Sequence, residues 1–415
     1  MRRIVCLAIG LSLACGGSGP RRPASVMLPP PPPASSTPVH AAVARAPRAW
    51  TLIGGDLVDL GTMRVLHTLV RGEIVLAHAV ADDTAYAWVR GSGGDELRAF
   101  DVTSGARRWA APARACWRIV ATPKAVLCGT DDGVRVFRRD DGAASTAGAA
   151  SRVIDVVPVG ARVLAVHEGS LDALDERGRV VGSTTTPFAP DFGYTRAALR
   201  ATSALACGAR TNDSSTNVFC ADATPRVVWT KHLPARQTFF VQADDDVLVL
   251  APTPWNTTST ASVVLRTSDG AELLDVPHRL GGVVVRGGKV TYALALDPAV
   301  TALDASGTKL WTWPAPAFPR DALRAVQIGS TIVVALYDPI ATGTELFGLD
   351  ATTGRQLWQA QVDSLPIAHS KYSNDVTLTA RGRVVALVGH ESAQEYAQTF
   401  DAATGRRLAS ILRGR

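Results

Sequence analysis

The side chains able to do redox, metal or nucleophilic chemistry in this 415-residue chain are six cysteines and eight histidines, and their spacing favours cross-links over catalysis. The histidines stand at 40, 67, 78, 167, 232, 278, 369 and 390, with no H-E-x-x-H pair and no adjacent carboxylate set of the kind that holds zinc. Cys116/Cys128 and Cys207/Cys220 form two close pairs, yet neither has the short C-x₂₋₄-C gap of a zinc site. The run Asp244–Asp246 lacks the alternating carboxylates and glycine of a calcium loop and reads as a turn. No G-x-S-x-G, P-loop or G-x-G-x-x-G context occurs. The expectation is a protein with no catalytic, cofactor-binding or metal-binding residue, and so not an enzyme.

The other two cysteines sit in the N-terminal stretch. Residues 1–14 carry a basic start (Arg2, Arg3), an apolar run from Ile4 to Leu13 and the small Ala14, which reads as an export signal. Cys15 follows at the cleavage point, trailed by Gly16-Gly17-Ser18-Gly19, and the arrangement resembles the lipobox of bacterial lipoproteins. It departs from that pattern in one respect: the usual leucine three places before the cysteine is Ser12, with Leu13 one place late. Acyl chains on Cys15 bury CH₂ groups at about 0.8 kcal/mol each, so several together anchor stably. Residues 15–47 then form the anchor cysteine and a linker, whose five prolines Pro29–Pro33 favour an extended chain. Fully extended, such a linker reaches roughly 100 Å.

With Cys6 lost and Cys15 lipidated, four cysteines remain, an even number in an exported chain, which argues for disulfides. Four cysteines allow three pairings, and the strand assignment favours the two local ones. The formal charge of +6 rests on basic residues that are mostly single arginines scattered along the chain, with no basic run for nucleic acid.

From Trp50 onward short Val/Leu/Ala runs alternate with Gly, Asp, Thr and Pro, as in Arg162–Val166, Asp246–Leu250, Ser330–Ala335 and Arg383–Val388. Such runs read as buried strands, and no helical stripe long enough for a core helix appears. One strand–turn–strand unit, Leu346–Trp358 (LFGLDATTGRQLW), recurs eight times, at 97–109, 134–146, 171–182, 218–229, 263–274, 300–311, 346–358 and 398–409. The aspartate position of the unit falls at 101, 138, 175, 222, 266, 304, 350 and 401, giving intervals of 37 to 51 residues. That is the spacing of four-stranded propeller blades, so the expected fold is all-β, an eight-bladed β-propeller over residues 48–415, with seven blades as the alternative. The aspartate can take backbone N–H groups of the turn, and the glycine supplies the left-handed residue that reverses the chain. Trp109, Trp229, Trp311 and Trp358 close four copies and read as packing wedges rather than a ligand-stacking row.

The L-D-x-x-T-G-x-x-x-W pattern resembles the repeat of the pyrroloquinoline-quinone-like β-propellers, over roughly residues 50–415. The resemblance implies closure with eight blades, and Trp50–Leu66 is then expected to add a strand to the last blade. Enzymatic members carry an adjacent cysteine pair, a calcium site and an aspartate base, and this chain has no Cys-Cys dipeptide. Non-enzymatic members include lipoproteins of outer-membrane barrel assembly, which implies a monomeric envelope scaffold, anchored in the outer membrane through Cys15 and binding other envelope proteins without a cofactor. A quinone-dependent dehydrogenase and a surface carbohydrate or peptide binder are the alternatives. In the repeat frame Cys116/Cys128 lie on the first two strands of one blade, and Cys207/Cys220 flank the next hairpin of a later one. Two polar loops, 253–260 and 366–374, exceed what a blade needs, and Trp255 and Tyr372 are their candidate contact residues.

Overall fold

The computed structural model describes residues 50–414 apart from 61, 63, 117, 149, 168, 187–195, 212–214, 235–237, 253–260, 278–279, 287–288, 295–298, 304–307, 317–321, 338–343, 364–374 and 392–393. Eight four-stranded antiparallel sheets follow one another around a ring: blade 1 (74–112), blade 2 (118–147), blade 3 (153–185), blade 4 (196–234), blade 5 (239–276), blade 6 (280–314), blade 7 (322–362) and blade 8 (375–414). The chain is an eight-bladed β-propeller. Within each blade the spatial order of strands equals their chain order. First strands of neighbouring blades, such as Val153–Val159 and Arg196–Ala201, approach one another, which makes the first strand the innermost.

Second strands show why the sequence takes this form. Ala125–Thr130 and Thr331–Tyr337 are buried along their whole length, because a blade is covered on both faces by its neighbours. An inside strand of that kind needs a continuous apolar run rather than alternation. The core accordingly lies between sheets: Tyr86, Leu97 and Trp109 of blade 1 pack with Val126 and Phe137 of blade 2, and Leu346 and Trp358 of blade 7 pack with Leu387 and Phe400 of blade 8.

The segment after Trp50 departs from expectation. It adds no strand to the last blade but forms its own sheet of β1 (Trp50–Ile53), β2 (Asp56–Asp59) and β3 (Arg64–Thr68). Leu52, Leu57 and Val70 pack on Ala85, Ala87 and Phe100 of blade 1, while Ile53 and Val58 pack on Ala397 and Ile411 of blade 8. Among the described residues blade 8 is complete with four strands of its own, so the N-terminal sheet wedges beside it instead.

Candidate functional site

The repeated turn between third and fourth strands is built from its aspartate. In blade 7 the Asp350 carboxylate accepts the amides of Thr352 and Thr353 at 3.0 and 2.8 Å and the Thr353 hydroxyl at 2.9 Å. Asp401 repeats this with Ala403 and Thr404, and Asp101 with Thr103 and Ser104. These bonds go to the charged form, so Thr353 holds the Asp350 carboxyl, and Thr404 that of Asp401, below the usual carboxylate range. The Arg108 guanidinium beside Asp101, joined by the Ser104 amide and hydroxyl, does the same more strongly there.

The glycine of each turn has a second reason to be glycine. A Cβ built on Gly142 would lie 2.6 Å from a ring carbon of Trp109, and one on Gly405 would lie 2.5 Å from Trp358. Each tryptophan therefore lies flat on the turn of the following blade. In three of the four the indole N–H donates to a carbonyl there: Trp109 to Arg139 at 2.8 Å, Trp229 to Thr267 at 2.9 Å, Trp358 to Ala402 at 3.0 Å. A β-bulge one residue earlier, at Leu357 in blade 7 and Val228 in blade 4, turns the ring inward and leaves the aliphatic neighbour half in water. Between blades 3 and 4 the ring and the glycine are both missing. Gly182 holds the tryptophan's place in blade 3, and Pro225 holds the glycine's place facing it, with the built Cβ 3.3 Å from the proline.

These turns share one face of the ring with the short links between first and second strands, as bonds such as Val102 N to Asp83 O and Ala351 N to Ser330 O require. The opposite face carries the links between second and third strands and the crossovers between blades. Every connection longer than five residues belongs to that face: 186–195, 252–261, 315–321, 338–343 and 363–374. All five fall on the arc from blade 3 to blade 8. Trp255 and Tyr372 belong to two of them and lie outside the described residues, as does Cys15. Flanking strands Val247–Ala251, Ser262–Arg266, Gln356–Val362 and Asp375–Arg381 end on this face.

Buried polar clamps fix the base of the loop face. Asp155 on the innermost strand of blade 3 takes both prongs of Arg118 from blade 2, at 2.8 and 3.2 Å, and the Leu199 amide of blade 4 at 3.3 Å. Thr238 after blade 4 donates its amide to Thr216 at 3.0 Å, and the Thr211 hydroxyl donates to the Thr238 carbonyl at 2.5 Å. The Gln398 side chain grips both backbone groups of Asp363, at 2.7 and 3.2 Å. His167 sits between Ser151, 3.3 Å from Nδ1, and Asp172, 3.3 Å from Nε2, and Asp172 in turn accepts the Ser183 hydroxyl at 2.6 Å. The order hydroxyl, imidazole, carboxylate is that of a nucleophilic triad, but His167 is 0% exposed and no substrate reaches it. It anchors the crossover into blade 3. None of these clamps carries a sequence signal, because their members stand 5 to 44 residues apart without a motif.

The disulfides are Cys116–Cys128 and Cys207–Cys220. Cys207 and Cys220 face each other directly across the second and third strands of blade 4, whereas Cys116 lies in the crossover before blade 2 rather than on its first strand. Asp244 takes the amides of Asp246 and Val247 at 3.0 and 2.8 Å, as a turn residue does. Among the described residues no group of three His, Cys, Asp or Glu side chains converges as a metal site would.

The sequence family described as outer membrane protein assembly factor BamB matches residues 214–412. No curated protein matches the chain by sequence. Among solved structures, BamB from Moraxella catarrhalis is similar at 14% identity and a TM-score of 0.44, covering 74% of this chain and 96% of that one. Dihydro-heme d1 dehydrogenase NirN, in complex with DHE, is similar at 15% identity and a TM-score of 0.48, covering 77% of this chain and 71% of that one. With its eight blades and their Asp–Gly–Trp joints, the chain is similar to the pyrroloquinoline-quinone-like β-propellers, and over residues 214–412, just under half of its length, to the BamB family among them.

Proposed function

We propose that this protein is an exported, lipid-anchored scaffold of the bacterial envelope, binding other envelope proteins through the loop face in the assembly of outer-membrane proteins. The observation that carries this reading is the confinement of every connection longer than five residues to one face and one arc of the ring. A rigid ring whose longer connections all join strand ends on one face presents a binding surface there without having to move. Aromatic anchors dominate such surfaces, which gives Trp255 and Tyr372 their role. Two buried disulfides suit an oxidising compartment, Cys15 supplies the anchor, and the matched family is described by outer-membrane protein assembly.

Crosslinking on intact membranes, followed by purification and identification of the attached proteins, tests the reading. The expected result is recovery of barrel-assembly proteins, reduced by Trp255→Ala together with Tyr372→Ala, and release of the chain from membranes by Cys15→Ala. Failure to recover any envelope protein would overturn it. So would saturable thermal stabilisation by quinone and calcium with dye-linked turnover, which would make the ring a dehydrogenase.

A further inference from the structure

The N-terminal sheet repeats the blade plan in miniature. Asp59 accepts the amide of Thr62 at 3.2 Å, as Asp350 accepts that of Thr353. A bulge at Leu66 precedes His67, as the bulge at Leu357 precedes Trp358. His67 then lies on Gly105 of blade 1, where a built Cβ would be 2.7 Å from the ring, and its Nε2–H donates to the Thr103 carbonyl at 2.9 Å. His67 thus does for this sheet what tryptophan does between blades, and β3 stands in the place of an outermost strand.

The other side of the sheet is fastened differently. Within residues 50–414 a chain segment links each pair of neighbouring sheets, except blade 8 and the N-terminal sheet. Among the described residues that joint carries the apolar cluster of Ile53, Val58, Ala397 and Ile411, with Leu60, Val388 and Ala409 at its margin. Ala409 occupies the tryptophan position of blade 8, so no ring lies across the seam. Toward blade 1, by contrast, the sheet has the His67 dock and a larger cluster in which Leu52 and Leu57 meet Ala85, Ala87 and Phe100. β1 and β2 are four residues each, against five to eight in the second strands of the blades.

We propose that the N-terminal sheet is a gate in the ring: it stays docked on blade 1 through His67, and the ring opens along its seam with blade 8. Opening there breaks no four-stranded sheet. It exposes Ile53, Val58, Ala397 and Ile411, all buried when closed.

Thiol labelling of the full-length protein tests this, because a cysteine at a buried site reacts only when the site opens. Ala397→Cys reports the seam, and Ala173→Cys reports the joint between blades 3 and 4, with labelled peptides assigned by mass. The expected result is labelling at 397 about tenfold or more faster than at 173, accelerated further by Ile411→Ala while the rate at 173 stays constant. Equal or slower labelling at 397 overturns the gate, and so does an Ile411→Ala effect felt equally at both sites. Val58→Cys reads the same seam from the opposite side should Ala397→Cys fail to fold.

Discussion

Trp358 and Leu357 are neighbours in one strand with opposite fates, the first nearly enclosed at 9% exposure and the second 38% exposed at its bulge. Removing the indole leaves a void over Gly405 and an unpaired carbonyl at Ala402, so Trp358→Ala is expected to cost about 3–5 kcal/mol. Leu357→Lys faces water and is expected to stay within about 0.5 kcal/mol. Urea unfolding of both variants separates them, and similar losses would show that the ring does not bear the joint. Hydropathy alone ranks the two residues the wrong way round. It is the bulge, a backbone feature, that decides which of them is core.

At the scale of elements, Cys207–Cys220 ties the second and third strands of blade 4 across a separation of 13 residues. Loop-closure arguments put such a bridge at about 2–3 kcal/mol. Calorimetry before and after reduction is expected to show a lower Tm with the ring still folded, and an unchanged Tm would show that the strand pairing alone holds the hairpin. How well each element could be read before its structure was known follows from how much of its chemistry is local. The unit at 346–358 carries aspartate, threonine, glycine and tryptophan in one short span and is plain to see. The copy at 134–146 has Arg138 where the aspartate belongs and is recognised only by its interval. The N-terminal sheet escaped because His67 stands for tryptophan, although Asp59 to His67 has the same spacing as Asp350 to Trp358. The disulfide partners were legible through hairpin geometry, whereas the Asp155 and His167 clamps join blades or strands that only the folded ring brings together.

For the whole molecule, the aspartate turns make acid the natural denaturant. Asp101, Asp350 and Asp401 all have carboxyls held below their ordinary range by bonds made only in the folded ring. A group whose folded pKa is depressed contributes stability above its unfolded pKa, near 3.9, and loses it as pH falls toward the folded value. Thermal unfolding is therefore expected to be level between about pH 7 and pH 5 and to fall steeply below about pH 4. A Tm unchanged down to pH 2 would show that these turns do not contribute. Nothing in such a profile depends on a partner, since the turns occupy the face opposite the long loops.

The seating of each tryptophan on the glycine of the next repeat, and of Gly182 against Pro225, has a genealogical consequence. Complementarity is written across the borders of repeats, so a repeat that carries both glycine and tryptophan, as blade 7 does with Gly354 and Trp358, matches a copy of itself, whereas blades 3 and 4 match as a pair. Excising blade 4 would set Gly182 against Gly270, two hollows facing each other, while a tryptophan inherited ahead of Pro225 would find its seat taken. A substitution on either side of a border constrains what its neighbour can become. At the border of blades 3 and 4 the order of the repeats matters as much as their number.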